Sequence, residues 1–575
     1  MSARLVLKAP QARVQNLSLR NTTVPAAAVK VESGRPEVIQ CHITSQKGFG
    51  VSITGEKTRP AFALCRIYEA GMAGVNVRDK AAGSFEACEI YANAASGVQV
   101  SGGGNPTFTG CKIRNGKSAG VLVAQNGAGS FQDCEIAENA MAGVAVAKGG
   151  NPLLRGCKIH DGKQDGVLVT TKTASGTFDN CDVYANGWAG AEVRDGAAPT
   201  FNDCKFHDGH KSGIFVLKTA AGHFTNCEVY RNTTAAVEVR DGSIPDFHDC
   251  QIHDNNASGI LAWKKAAGVF EACKLSGNGG DGIGVGEDDK STFKRCEVLN
   301  GKRIGIRVEG AYGVFEHCDV SGSARANVDV RGGNPAFQNC AIHDGKASGV
   351  AVSGTSSSGT FVSCEVCRNA AAGVAAVSGA NPTFRLCKIH DQQQSGIVVL
   401  ETGRGVFEEC EVLGNGYSGV EVGTGGNPSL TRCTISSGKQ NGLMVHDKGA
   451  GTYSECDIAH NSIGVDIFAG GNPTLAGCKI HENKQSGIFT WKAAAGNIQD
   501  AEIFGNGLAG VESRDGANPT FNGCNIHDGN SYGVYVHSHG NGIFSNNTFT
   551  GNAKGAWRIS ADAGTVQRTG NSPNQ

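Results

Sequence analysis

The chain has 575 residues with 83 glycines but only 14 prolines, so it resembles neither collagen nor a typical disordered chain. Its 52 basic and 53 acidic side chains nearly cancel, which removes the electrostatic footprint of a nucleic-acid binder. No apolar run approaches the roughly 18 residues of a membrane span, and MSARLVLKAPQARVQNLSLRNTT carries neither an apolar signal core nor a small-residue cleavage site.

A soluble, cytoplasmic chain outside the general secretory route is therefore expected, with delivery by a dedicated secretion system as an alternative. Neither a nucleic-acid partner nor a membrane partner is expected.

In chain order, residues 1–35 read as an N-terminal cap and first coil, with Leu17 as an early register mark. From Cys41 to Cys478 a cysteine recurs every 22 to 24 residues; Ala501, Cys524 and Asn547 continue the series. Internal periods of this length indicate a solenoid. Two residues after each mark stands Ile, Val, Leu or Phe. Five residues after it, Gly or Asn is the rule, as at Gly162, Asn186, Gly209 and Asn232. Both tolerate positive φ, so a left-handed turn is predicted there.

A second short run with alternating apolar residues follows, such as GVLV at 166–169. Two or three short strands per period, without helical spacing, describe one coil of a parallel β-helix. The predicted fold is all-β, a single-stranded right-handed parallel β-helix of about 23–24 coils. It covers 36–552, and 553–575 form a C-terminal cap and tail. At about 4.8 Å per coil it would be a rod of roughly 110 Å.

Stacking places the cysteines in an internal column. Parallel side chains in register do not offer disulfide geometry, so packed thiols in a reducing compartment are expected. The residue after each mark alternates in charge, as in Lys112, Glu135, Lys158 and Asp182. That alternation predicts an exposed stripe of weak ion pairs.

His-Asp pairs recur at His160–Asp161, His207–Asp208, His253–Asp254, His343–Asp344, His390–Asp391 and His527–Asp528. Imidazole beside carboxylate suits general-base chemistry, but repetition marks a feature of the coil. Asn-Pro pairs such as Asn105–Pro106 read as bends before a strand. Cys364 and Cys367 form C-x-x-C without a second pair, and Cys367 falls where other coils carry Tyr. No zinc or redox motif is read there, and no metal ligand set is assigned.

The repeat weakens over 273–330, where Asp281, Glu287, Asp288 and Asp289 precede Arg303 and Arg307. Clustered carboxylates there could take Ca²⁺ or act as acid and base on a sugar; no other cofactor is expected. Trp263 and Trp491 share the context W-K-x-A-A-G, which suits a sugar or a peptide. No catalytic residue is assigned.

NPLLRGCKIHDGKQDGVLV (151–169) and FDNCDVYANGWAGAEV (178–193) resemble the β-helix repeats of the F-box-only ubiquitin-ligase receptor. They also resemble bacterial repeat proteins of the CASH (carbohydrate-binding and sugar-hydrolase) type. The resemblance spans 36–552 and implies a partner-binding role in one branch and polysaccharide chemistry in the other. That family carries Asn at the register mark, kept here only at Asn547. The reading is a non-enzymatic scaffold for a protein partner, with a polysaccharide lyase, hydrolase or epimerase, or a carbohydrate-binding protein, as the alternative.

Overall fold

Runs of three to five residues with alternating apolar positions suit short one-sided strands. The computed structural model describes residues 4–573 and contains, among these, strands and turns but no helix. Accordingly, no helix there is long and apolar enough to cross a membrane. The chain forms two compact units, residues 1–284 with 289–296, and residues 285–288 with 297–575. They are called the N-terminal and C-terminal units below.

In each unit a coil supplies one strand to each of three parallel sheets, A, B and C. In the coil that begins at Cys157, Lys158–His160 joins sheet C, Val167–Thr170 sheet A, and Thr177–Asp179 sheet B. Each strand pairs in register with the next coil, as Lys158↔Asp182, Val167↔Ala191 and Phe178↔Phe201 show. Parallel crossovers of this kind are right-handed. Strands also occupy both end segments, from Leu5–Leu7 to Val566–Thr569.

Apolar columns from all three sheets fill the N-terminal unit. Sheet B contributes Phe rings, Phe201, Phe224, Phe247 and Phe270, stacked 4.4–5.0 Å apart. Sheet C contributes Ile, Val, Leu or Phe two residues after the mark, and sheet A two alternate residues of each strand, such as Val167 and Val169. The C-terminal unit repeats this, with Phe337, Phe361 and Phe384 at 4.4–4.7 Å. All 22 cysteines are free and buried. Their thiols donate to nearby carbonyls, as Cys111 Sγ does to Phe85 O at 3.4 Å and Thr109 O at 3.5 Å.

The turn assignment needs correction. The left-handed residue lies four positions after the mark, at Asp161 (φ 54°), Asp208 (φ 53°) or Asp391 (φ 55°), and another lies just before it, at Asn180 (φ 49°). Hence the Asp of each His-Asp pair is itself the turn residue.

The following Gly-or-Asn position obeys a different constraint: it is interior. Asn232 Oδ1 accepts Gly209 N–H at 3.1 Å, while its Nδ2 donates to Phe206 O at 3.0 Å and Tyr230 O at 3.1 Å. A Cβ on Gly162 would stand 2.9 Å from Asn186 Oδ1. In these coils glycine makes room for the asparagine of the next one.

The charge stripe forms as predicted, with Lys112–Glu135 at 3.2 Å and Lys205–Glu228 at 2.9 Å. Its acids also accept from the histidines. His207 Nε2 lies 2.8 Å from Asp182 Oδ1 of the preceding coil, and its Nδ1 lies 2.6 Å from Asp208 Oδ2. The Asn-Pro pairs do precede sheet B strands, as Pro106 does Thr107–Thr109.

Candidate functional site

The middle residue of each sheet A strand faces outward, because its neighbours on either side point into the core. Along the N-terminal unit this column reads Leu168, Glu192, Phe215, Glu238 and Leu261 in register. Two carboxylates thus bracket one ring. Two strand spacings separate their Cα atoms, about 9.6 Å.

On one side the loop from sheet C brings Trp188, Lys211, Ser212 and Thr234 beside the column. Together with Glu192, Phe215 and Glu238 they line a cavity of about 360 Å³. Trp188 is the exposed tryptophan of this set, at 49%. On the other side stand Arg194, Arg240 and Trp263. Arg194 Nη1 lies 3.0 Å from Glu192 Oε1, and the Arg240 guanidinium lies 4.7 Å over Phe215 and 5.5 Å from the Trp263 ring. Trp263 Nε1 is a buried donor with no hydrogen-bond partner among the described residues, and the buried Nε atoms of Arg194 and Arg240 lie 3.6 and 3.4 Å from the Asp195 and Asp241 carboxylates.

The electrostatics single out Asp165, which sits at the start of the same face. Its Oδ1 accepts Ala189 N–H at 3.1 Å. Burial, aided by the Glu192 charge, pushes its carboxyl up to about 7. Burial also raises Glu192 above the usual carboxylate range. A carboxyl that holds its proton near neutrality, beside a second raised one, is the arrangement acid–base chemistry requires.

The C-terminal unit carries a related surface. Its column reads Asp466, Phe489, Glu512 and Tyr535 in register. Asp466 accepts Trp491 Nε1 at 3.0 Å and Asn441 Nδ2 at 3.1 Å, and burial pushes it up to about 6. Phe468 stacks on Trp491 at 5.0 Å, and Arg514 lies 5.0 Å over Phe489.

Residues 5–153, 142–291, 281–432 and 418–572 each match the family described as the right handed beta helix region. The chain is a right-handed β-helix protein. No curated protein matches it.

Among solved structures this β-helix is similar to the periplasmic alginate epimerase AlgG at 10% identity and TM-score 0.29, covering 52% of this chain and 74% of that one. It is similar to the Azotobacter vinelandii mannuronan C-5 epimerase AlgE4 A-module at 14% and TM-score 0.29, covering 50% and 88%. The PL6 family alginate lyase AlyGC aligns at 10% and TM-score 0.27, covering 99% and 100%. These likenesses concern the coiled architecture alone.

The residues singled out from the sequence fall in several places on this β-helix. Asp281 and Asp289 are buried. Asp289 caps its own turn, accepting Ser291 N–H at 3.0 Å and Ser291 Oγ–H at 2.8 Å. Glu287 and Asp288 occupy an exposed left-handed turn (φ 48° and 63°). Arg303 is exposed, and Arg307 pairs with Glu309 on its own strand at 2.7 Å.

Trp263 and Trp491 do lie on the two sheet A surfaces, half-buried rather than exposed, under Lys264 and Lys492 at 4.2 and 4.3 Å. Glu192, Phe215, Glu238, Asp165 and Trp188 escaped the sequence reading. Reading the outward residue of successive sheet A strands down the column brings out Glu192, Phe215 and Glu238; Asp165 and Trp188 lie before the strands and carry no such signal.

Proposed function

We propose that the sheet A face of the N-terminal unit binds a polysaccharide segment and cleaves or modifies it by acid–base chemistry. The observation that carries this reading is the cavity between Trp188 and Phe215, walled by Glu192 and Glu238 and adjoining Asp165. Indole and phenyl faces suit sugar rings, and the guanidinium and indole donors beside them suit hydroxyl or carboxylate oxygens.

In this reading Asp165 holds the proton to be delivered, Glu192 or Glu238 acts as base, and Trp188 with Phe215 forms the sugar platform. Glu192 and Glu238 flank the Phe215 ring, so a sugar laid on that ring would meet a carboxylate on either side. The protein-scaffold reading ranks second, since a purely docking surface has no need of carboxyls raised by burial. Free thiols throughout the core support a reducing, cytoplasmic setting.

The test is a screen of the full chain against neutral and uronate-containing polysaccharides, following chain length, new reducing ends and unsaturated ends. Activity on one polymer class is expected. Glu192→Gln should lower kcat by about 100-fold or more, and Trp188→Ala should chiefly raise KM. Activity indifferent to both substitutions, or no binding of any polymer in calorimetry, would remove the proposal.

A further inference from the structure

A column on sheet C, three residues after each mark, carries rings through much of the protein. In the N-terminal unit His160, Tyr184, His207, Tyr230 and His253 stack at 4.6–5.3 Å. In the C-terminal unit His343 and His390 occupy the equivalent column, with Cys367 between them in register. At this coil a thiol replaces a ring, which frees space and supplies a soft ligand atom.

Glu365 lies two residues before Cys367 on the strand Glu365–Cys367, and His390 on the next strand faces both. The Cys367 sulfur, a His390 ring nitrogen and a Glu365 carboxylate oxygen all lie within 4.8 Å of one another. Cys367 is 3% exposed, while the Glu365 side chain is 53% exposed, so solvent reaches the group from one side.

His390 Nε2 lies 2.8 Å from Glu365 Oε1, and Nδ1 lies 2.6 Å from Asp391 Oδ2. Both ring nitrogens therefore face carboxylates, although a neutral imidazole carries one N–H. A cation at Nε2 takes the place of one proton and leaves Nδ1–H donating to Asp391, the orienting contact that metal-bound histidines usually have. Arg368 Nη1 donates to Cys367 Sγ at 3.2 Å and fixes the sulfur in place, while Asp344 holds its Nε and Nη2 at 2.9 and 2.8 Å.

We propose that Glu365, Cys367 and His390 bind one divalent late transition-metal ion of the zinc class, with a fourth position open to water. One thiolate and one imidazole select zinc-like ions over calcium or magnesium. Zinc takes sulfur at about 2.3 Å and nitrogen at about 2.0 Å, so the cluster contracts by roughly 1 Å on binding. Rotation of the exposed Glu365 supplies most of that.

The other histidine coils lack the thiol. His207 sits between Asp182 and Asp208 with the Tyr184 ring beside it, so one ion per chain is expected. The partners of Cys367 are Glu365 and His390, not Cys364, which is why the C-x-x-C spacing does not reveal the site. This inference is independent of the sheet A proposal.

Cobalt titration of the full chain, reduced and stripped of metal, tests it. One equivalent of Co²⁺ should give thiolate-to-cobalt absorption in the near ultraviolet and tetrahedral bands in the visible, both abolished by Zn²⁺. Cys367→Tyr rebuilds the His–Tyr–His stack seen at 160, 184 and 207, so it should fold and lose this equivalent. His390→Phe should weaken binding by roughly 100-fold or more. Persistence of the thiolate band in the Cys367 variant, unchanged cobalt affinity in the His390 variant, or no cobalt taken up by the parent chain, would overturn the assignment.

Discussion

Asp165 is held in a protonation state that its own coil imposes. Unfolded, its carboxyl titrates near 3.8; folded, burial and Glu192 raise it to about 7. Between these values the native chain binds more protons than the unfolded one, so stability falls as pH rises from about 4 to 7. The full cost is on the order of 4 kcal/mol, reached above pH 7. Asp165→Asn keeps an oxygen for Ala189 N–H but removes the charge. Denaturant titrations should therefore show the variant more stable than the parent at pH 8, with the gap closing by pH 4. An equal gap at both pH values would show that Asp165 is not the group responsible. The interior asparagines pose no such cost, because amides satisfy the buried backbone without carrying charge.

Among the elements, the Phe column of sheet B shows how packing and repetition interact. Phe247 stacks between Phe224 and Phe270 at 4.4 and 4.9 Å. Phe247→Ala should cost about 3–5 kcal/mol. Leu154 takes this position in the same unit and Leu430 the equivalent one in the C-terminal unit, both fully buried, so Phe247→Leu should cost less than about 1.5 kcal/mol. Thermal or denaturant unfolding of the two variants measures the difference; equal losses would mean that ring stacking, not volume, governs the column.

The coil itself was legible from residues because each column repeats its chemistry. Cys, the Ile or Val two places later, and Phe three places earlier mark register without any structure. The turn was misplaced by one residue because glycine signals both left-handed backbone and absent side chain, and here the second reason rules. The sheet A site was illegible for a related reason. Glu192, Phe215 and Glu238 stand 23 residues apart, at positions whose neighbours differ from coil to coil. Only stacking makes them adjacent.

For the whole molecule, the free, buried cysteines make a collective prediction. Burial pushes the Cys524 thiol up to about 11, and all 22 cysteines are buried. Reagents in solvent therefore meet little reactive thiol in the native chain. A chromogenic disulfide reagent should find almost no thiol under native conditions and all 22 in strong denaturant. Several fast-reacting thiols in the native chain, or fewer than 22 after denaturation without reductant, would contradict the packed-thiol column.

The interchange of Tyr, Cys and His within a single sheet C column has a consequence for how such a chain can change. Backbone geometry is nearly constant from coil to coil, so each column works as a rack of equivalent slots. A group placed in one slot meets nearly the same surroundings as in the next. New chemistry then needs no new fold and no inserted loop, only a substitution whose column neighbours happen to complement it. By the same logic a ligand set could be transplanted: cysteine at Tyr184, between His160 and His207, would stand two residues after Asp182 as Cys367 stands after Glu365.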